Sequence, residues 1–211
     1  DNRRLCFLIG DVSGKGVPAS LFMAVTKALA RSFATRLAGG PAEIVSAANR
    51  DLSRENVETL FVTLLLGVLD VESGRLELVN AGHDGPWRLG ADGGLQQLVG
   101  SATDGGPPLC MVEDFDYGVQ QLQLQPGDRL CMVTDGITEA ANAAQELYGG
   151  RRLHDALAVL DSRAEAHGIT QQVRQDVGRF VAGAEPSDDL AILVLHWKGP
   201  GAPAAGPLSA G

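Results

Sequence analysis

Three aspartates occupy positions from which carboxylates can bind cations. Asp11 follows an apolar strand ending at Ile9, Asp135 follows a second apolar segment, and Asp188 comes just before the apolar segment that begins at Leu190. In antiparallel sheets these three strand ends can lie on one edge. Converging carboxylates repel one another unless cations lie between them, and hard cations such as Mg²⁺ and Mn²⁺ prefer oxygen ligands. The pattern is compatible with a metal site, although on spacing alone three separate turn aspartates, which are common at strand ends, are the better expectation.

The turn that contains Asp11 superficially resembles a phosphate-binding loop for nucleotides. A Walker motif places four residues between its first glycine and the Gly-Lys pair and continues with Ser or Thr. Here only three residues separate Gly10 from Gly14-Lys15, and Gly16 follows. The glycines therefore favour a sharp backbone turn close to a ligand rather than a nucleotide site.

The overall composition limits the possible partners. The 211 residues carry a net charge of −9, which argues against nucleic acid or an anionic membrane as the main partner, although solubility alone explains the charge equally well. Three cysteines without metal-ligand spacing indicate thiols in a reducing compartment, so we expect a cytoplasmic protein. The sequence shows no signal peptide and no apolar run of the ~18 residues needed for a membrane span.

Hydrophobic periodicity and turn residues predict an α+β fold with antiparallel sheets and helices packed outside them. Gln125-Pro126-Gly127-Asp128 is a turn signal that predicts a hairpin between its flanking strands. We expect strands over residues 5–9, 60–70, 75–81, 86–89, 95–99, 117–124, 129–134 and 190–197. We expect helices starting near residues 18 and 41 and over residues 151–162 and 170–182.

The first helix carries an apolar residue at every fourth position, namely Leu21, Val25, Leu29, Phe33 and Leu37. Such a stripe is typical of a helix face packed on a core. It is equally compatible with a face that also relays a signal to the turn carrying Asp11.

Several motifs, taken together, resemble one known family. Residues 10–20 look like the first shared motif of the SpoIIE-like branch of the PPM-type metal-dependent serine/threonine protein phosphatases. Residues 61–70, 80–83, 127–140 and 187–190 resemble further motifs of that branch, in the same order. The resemblance covers residues 5 to 197, so we expect a phosphatase domain over residues 1–198 and a disordered tail over 199–211.

The resemblance implies an αββα sandwich, in which two stacked antiparallel sheets are flanked by helix pairs. It also implies a centre of two divalent cations, Mn²⁺ or Mg²⁺. Asp11 would bridge both ions and the Val12 carbonyl would bind one of them, whereas Asp135 and Asp188 would hold the other.

Four further residues are candidates for supporting roles. Asp189 follows Asp188 in the chain and would support the metal ligands without binding a cation itself. Lys15 would offer a positive charge to phosphate, or would be an ordinary solvated lysine. His83 would touch substrate or donate a proton, although a structural hydrogen bond within its turn is the better expectation. Gly136 adjoins Asp135 and would lie near the substrate.

A two-metal centre implies hydrolysis without a protein nucleophile. Two cations ~3.5–4 Å apart can share a hydroxide that attacks phosphorus in line while the cations stabilise the equatorial oxygens. By resemblance, the substrate is a phosphoserine or phosphothreonine protein of the anti-sigma-factor-antagonist type in partner-switching signalling. The alternative is a catalytically silent domain that binds a regulator or forms a homodimer.

Two departures from the family pattern bear on activity. Most of the branch carries another acidic residue on a strand upstream of Asp11, and the present sequence starts too late to include it. We therefore expect a missing first strand and a missing upstream sensor domain. The closing motif usually has threonine where this chain has Ala191, a change that a strand should tolerate.

Overall fold

Eight strands and five helices are present in the computed structural model, which describes residues 3–36, 39–54, 56, 59–98, 104–184 and 189–201. In chain order these elements are β1 (Arg4–Val12), α1 (Val17–Arg36), α2 (Pro41–Arg54), β2 (Val62–Asp70), β3 (Arg75–Ala81), β4 (Trp87–Leu89), β5 (Leu95–Gln97), β6 (Gln120–Gln123), β7 (Arg129–Val133), α3 (Asp135–Thr138), α4 (Gly149–Ala158), α5 (Ala166–Val181) and β8 (Ile192–His196).

The strands form two antiparallel sheets of four strands each. The first sheet has the order β1-β2-β3-β6 and the second the order β5-β4-β7-β8. The predicted α+β class with two antiparallel sheets is therefore confirmed. The short helical turn α3 was not predicted, because a segment of four residues carries no periodic signal.

Alternating side chains on the strands divide the core into three layers. Leu65 of β2 and Leu130 of β7 belong to a cluster between the two sheets. Their neighbours Leu64 and Leu66 instead face α2, and Cys131 joins the cluster formed with α4 and α5. The period-two alternation thus buries both faces of each central strand and gives the predicted helix–sheet–sheet–helix order.

The predicted hairpin around residues 125–128 is wrong. β6 pairs with β3 in the first sheet, whereas β7 pairs with β4 and β8 in the second. The turn therefore crosses between the sheets. Its Asp128 carboxylate accepts hydrogen bonds from the Gln125 and Ala91 backbone N–H groups and from Arg88, so turn residues mark a change of direction but not which sheet follows.

The apolar stripe of α1 only partly packs on the core. Leu21 and Val25 are 62% and 49% exposed, whereas Leu29 and Phe33 are half-buried against the first sheet. Four residues exceed one helical turn by about 40°, so a stripe of this period winds around the helix from solvent to core. Leu37 lies outside the described residues.

Two further expectations concern the disordered C-terminal tail and the absence of a membrane-spanning segment. Most of the predicted tail, residues 202–211, lies outside the described part of the chain. Among the described helices, none is both long and apolar enough to cross a membrane.

Candidate functional site

Asp11 lies within β1 and not after it, which corrects the strand end predicted at Ile9. Asp11 pairs with Thr63 of β2. The pairing continues past the strand, because the Ser13 N–H donates to the Phe61 carbonyl and the Phe61 N–H donates to the Ser13 hydroxyl, both at 2.9 Å. The backbone on both sides of Asp11 is thereby fixed to β2.

Next comes the predicted glycine turn, which leads directly into α1. Gly14 and Gly16 have φ angles of 85° and 84°, a region that side chains disfavour. Lys15 is exposed between them. The Ser20 N–H donates to the Gly16 carbonyl at 3.1 Å, so α1 begins a few residues after Asp11.

Asp135 is the first residue of α3, directly after β7. The preceding residue, Thr134, is only 2% exposed. Its hydroxyl donates to the Asp189 carbonyl at 3.3 Å and accepts the Ala191 N–H at 3.1 Å. Thr134 therefore holds the segment entering β8 beside the end of β7, and Gly136 is buried behind it.

A cavity of about 620 Å³ joins these strand ends. It brings Asp11 and Lys15, which come from the first sheet and its turn, together with Thr134 and Asp189 from the second sheet. One wall is the start of α1, through Ala19, Ser20 and Met23. The ends of both sheets thus open into one solvent-accessible space.

The described carboxylates suit a cation only in part. Within the described residues, no donor hydrogen-bonds the buried Asp135 Oδ1, an arrangement that a cation would satisfy. No three acidic, histidine or cysteine side chains of the described part converge as a ligand set. Asp188, the predicted third ligand, lies in the segment 185–188 outside that part.

His83 is 8% exposed and connects the two halves of the site. Its Nδ1 lies 3.0 Å from the Thr63 hydroxyl, which in turn lies 3.5 Å from the Asp11 carbonyl oxygen. Burial lowers the pKa of His83, although the negative charges of Asp84 and Asp135 and the nearby Val133 carbonyl oppose that shift.

Sequence reasoning missed Thr63, Asp84 and Thr134. A threonine opposite Asp11 becomes visible only once the register of β1 and β2 is known. Asp84 follows His83 directly, and its carboxylate accepts a 3.4 Å hydrogen bond from Thr138. Thr134 could have been found, since a hydroxyl next to Asp135 is available to bond a neighbouring strand.

A comparison with protein families identifies the family of the chain. The family model described as Stage II sporulation protein E (SpoIIE) matches residues 1–198. The chain belongs to the SpoIIE family. The predicted membership of the SpoIIE-like branch of PPM-type phosphatases is therefore confirmed.

Individual relatives place this SpoIIE-family chain among larger proteins. Phosphoserine phosphatase RsbU of Bacillus subtilis is 26% identical over 140 residues, which cover 66% of this chain and 40% of RsbU. The chain spans only 33–40% of the length of the curated relatives it matches.

Solved structures share the fold. The structure of the RsbU and RsbW domains of Rv1364c from Mycobacterium tuberculosis superposes with a TM-score of 0.76 at 24% identity, covering 94% of this chain and 53% of that one. The catalytic domain of the serine/threonine phosphatase PstP, solved with 2 manganese ions, gives a TM-score of 0.61 at 17% identity over 91% of this chain and 86% of that chain.

Proposed function

We propose that this SpoIIE-family domain is a metal-dependent protein phosphatase that hydrolyses phosphoserine or phosphothreonine in a protein substrate. The observation that carries the proposal is the cavity that Asp11 shares with Thr134 and Asp189. Asp135 follows Thr134 directly in the chain, and its buried Oδ1 has no hydrogen-bond donor among the described residues. The phosphoserine phosphatase RsbU and the manganese-bound structure of PstP support the choice of reaction and cofactor.

The residues proposed to hold the two cations are Asp11, Val12 through its carbonyl, Asp135 and Asp188. When bound, two Mn²⁺ or Mg²⁺ ions supply Lewis-acid charge and lower the pKa of a coordinated water. Asp11 would hold a cation at a defined position, because its backbone is fixed on both sides by the pairing of β1 with β2. Thr134 orients the strand segment that carries Asp189.

Other cavity residues bind and orient the substrate in this proposal. Lys15 is exposed on the turn at the cavity, where its ammonium group attracts the phosphoryl oxygens. Thr134 is unsuited to act as a nucleophile, since its hydroxyl is engaged by Asp189 and Ala191. In this proposal water attacks phosphorus and the alcohol side chain of the substrate leaves, so that no phosphorylated enzyme forms.

The proposed physiological substrate is a phosphorylated anti-sigma-factor antagonist, as the resemblance to the partner-switching phosphatases suggests. A folded phosphoprotein presents its phosphorylated side chain on a surface loop, and the cavity is open to solvent at the turn of residues 13–16. A panel of phosphoserine, phosphothreonine and phosphotyrosine peptides assayed with Mn²⁺ tests the specificity. Preference for phosphotyrosine would contradict it.

A regulatory role of the α1 helix is a second candidate function. Val17, Leu21 and Val25 form an exposed apolar row on α1, and the same helix supplies Ala19 and Met23 to the cavity wall. A partner that covers the row would bear directly on the turn after Asp11. A domain that binds such a partner but releases no phosphate with Mn²⁺ would be the silent regulatory module instead.

A further inference from the structure

His83 lies where the chain leaves the first sheet and enters the second. It follows the end of β3 at Ala81 and precedes β4, which starts at Trp87. The ring is buried. Its surroundings include Thr63 of the first sheet and the Val133–Asp135 end of the second. A single side chain therefore contacts, or lies close to, the backbones that carry Asp11 and Asp135.

The ring is not needed to form its own turn. Asn80 fixes the backbone, because its side-chain amide donates to the His83 carbonyl and its side-chain oxygen accepts the His83 N–H, both at 2.7 Å. Gly82 has a φ of 69°, and a Cβ atom there would lie 2.5 Å from Pro108. The turn is thus determined by Asn80 and Gly82, which leaves the imidazole ring without a role in it.

The contacts of the ring point toward the candidate metal ligands. Its Nδ1 lies 3.0 Å from the Thr63 hydroxyl, and the Thr63 hydroxyl lies 3.5 Å from the carbonyl oxygen of Asp11. The negative charges of Asp84 and of Asp135 oppose the lowering of the His83 pKa by burial, which places the Asp135 end of the second sheet near the ring. Within the described residues, the buried Asp135 Oδ1 has no hydrogen-bond partner, whereas the ring of His83 lies within reach of the Val133 carbonyl.

A buried polar atom without a partner, such as Asp135 Oδ1, is costly for stability. A side chain retained for packing alone would not need a polar ring at this position. The arrangement is better explained by a role in holding the two sheet ends at the separation that cations require.

We infer that Thr63 and His83 are positioning residues for the metal centre, which tie the Asp11 strand of the first sheet to the Asp135 end of the second. This inference rests on the proposed function, because it concerns the same cations. The Thr63 hydroxyl contacts the backbone carbonyl of Asp11. His83 contacts the Thr63 hydroxyl on one side and lies near Asp135 on the other. Neither residue is required to touch the substrate.

If Thr63 and His83 position the metal ligands, substitutions at these residues should change metal affinity independently of the stability of the fold. Partners that orient metal ligands change metal affinity about 10- to 100-fold when they are removed. The variant Thr63→Val keeps the shape of the side chain but loses the hydroxyl, and Thr63→Ser restores it. Similarly, His83→Leu removes both nitrogens, whereas His83→Asn places an amide near the position of Nδ1.

The decisive experiment is a calorimetric Mn²⁺ titration of the whole chain, with urea unfolding in EDTA as a second readout. We expect Thr63→Val and His83→Leu to weaken Mn²⁺ binding about tenfold, and Thr63→Ser and His83→Asn to recover most of it. The KM for an aryl phosphate at saturating Mn²⁺ should stay within about twofold of wild type, since the inference assigns neither side chain a contact with substrate.

Tyr148→Phe is the matched control, because it removes a buried hydroxyl that donates to Asp176 at 2.7 Å in the other helical layer. It should alter urea unfolding without altering Mn²⁺ affinity. If Thr63→Val and His83→Leu behave like this control, or if the conservative variants fail to restore binding, the inference is wrong.

Asp135→Asn, measured in the same titration, separates this inference from the proposed function. If Asp135→Asn weakens Mn²⁺ binding while Thr63→Val and His83→Leu do not, only the positioning role fails. If Asp135→Asn binds Mn²⁺ like wild type, the proposed metal centre itself is misplaced.

Discussion

Asp11 and Thr134 line one cavity although they belong to different sheets. Asp11 is held there by its pairing with Thr63 on β2, and Thr134 by the bonds of its hydroxyl to Asp189 and Ala191. Stacking of the two sheets, rather than any one strand, therefore brings Asp11 and Asp189 to one cavity. Substitutions that disturb the pairing of Asp11 with Thr63, or the hydrogen bonds of the Thr134 hydroxyl, should weaken cation binding more than they destabilise the fold.

Asp135→Asn should reduce turnover of an aryl phosphate by about 100-fold or more, because removing even the partner of a metal ligand costs 10- to 100-fold. The fold should persist, since the amide has about the size of the carboxylate and replaces a partly buried charge by a neutral group. Initial rates at several Mn²⁺ concentrations and urea unfolding in EDTA measure the two effects. A wild-type rate would show that Asp135 is not a ligand.

Asp188→Asn should resemble Asp135→Asn, whereas Asp189→Asn should retain clearly more activity. The reason is the proposed division of labour, in which Asp188 binds a cation and Asp189 only supports the ligands. Comparing the Mn²⁺ concentration that gives half-maximal activity for the two variants tests this division. Equal losses, or a larger loss for Asp189→Asn, would reverse the assignment.

Leu21→Gln should change the free energy of unfolding by no more than about 0.5 kcal/mol, as expected for a surface substitution. Leu52→Ala in α2 is the contrasting variant, because Leu52 is 2% exposed, and it should cost about 2–5 kcal/mol. Urea unfolding monitored by circular dichroism compares them. A large cost for Leu21→Gln would mean that the exposed row on α1 is covered in solution.

Ala19→Leu should weaken Mn²⁺ binding, because Ala19 is buried and lies in the cavity wall formed by α1. Extra volume there displaces the helix start and its turn, and ~1 Å of misplacement can cost about 10²-fold in rate. Ala30→Leu, at a position that is 1% exposed on the same helix but outside the cavity lining, is the control. Equal Mn²⁺ affinities of the two variants would remove the support for regulation through α1.

Much of the architecture could be predicted from the sequence because it depends on local signals. The apolar run along residues 62–70 and the turn residues before Arg75 predict the strands β2 and β3, and the structure pairs these two strands. The crossover at residues 125–128 could not be predicted, because a Pro-Gly-Asp turn serves either a hairpin or a change of sheet. Which sheet a strand joins depends on long-range packing.

In the candidate site, too, some residues could be predicted from local signals in the sequence and others depend on long-range packing. Asp11 and Asp135 could be found because acidic residues at the ends of apolar strands are visible in the sequence. The contact between Thr63 and His83 spans 20 positions in the chain and depends on strand register. No local pattern indicates it, and the burial of the imidazole ring follows only from how the two sheets stack.

Phosphate release from an aryl phosphate, measured before and after metal removal, tests the central claim most directly. The chain is assayed with Mn²⁺, then with excess chelator, then with Mn²⁺ restored, and Asp11→Asn is carried through the same steps. We predict activity with Mn²⁺ or Mg²⁺, loss with chelator, recovery on adding Mn²⁺ back, and almost none at any step for Asp11→Asn. Activity that survives complete metal removal, or a wild-type rate for Asp11→Asn, would contradict a metal-dependent phosphatase built on these carboxylates.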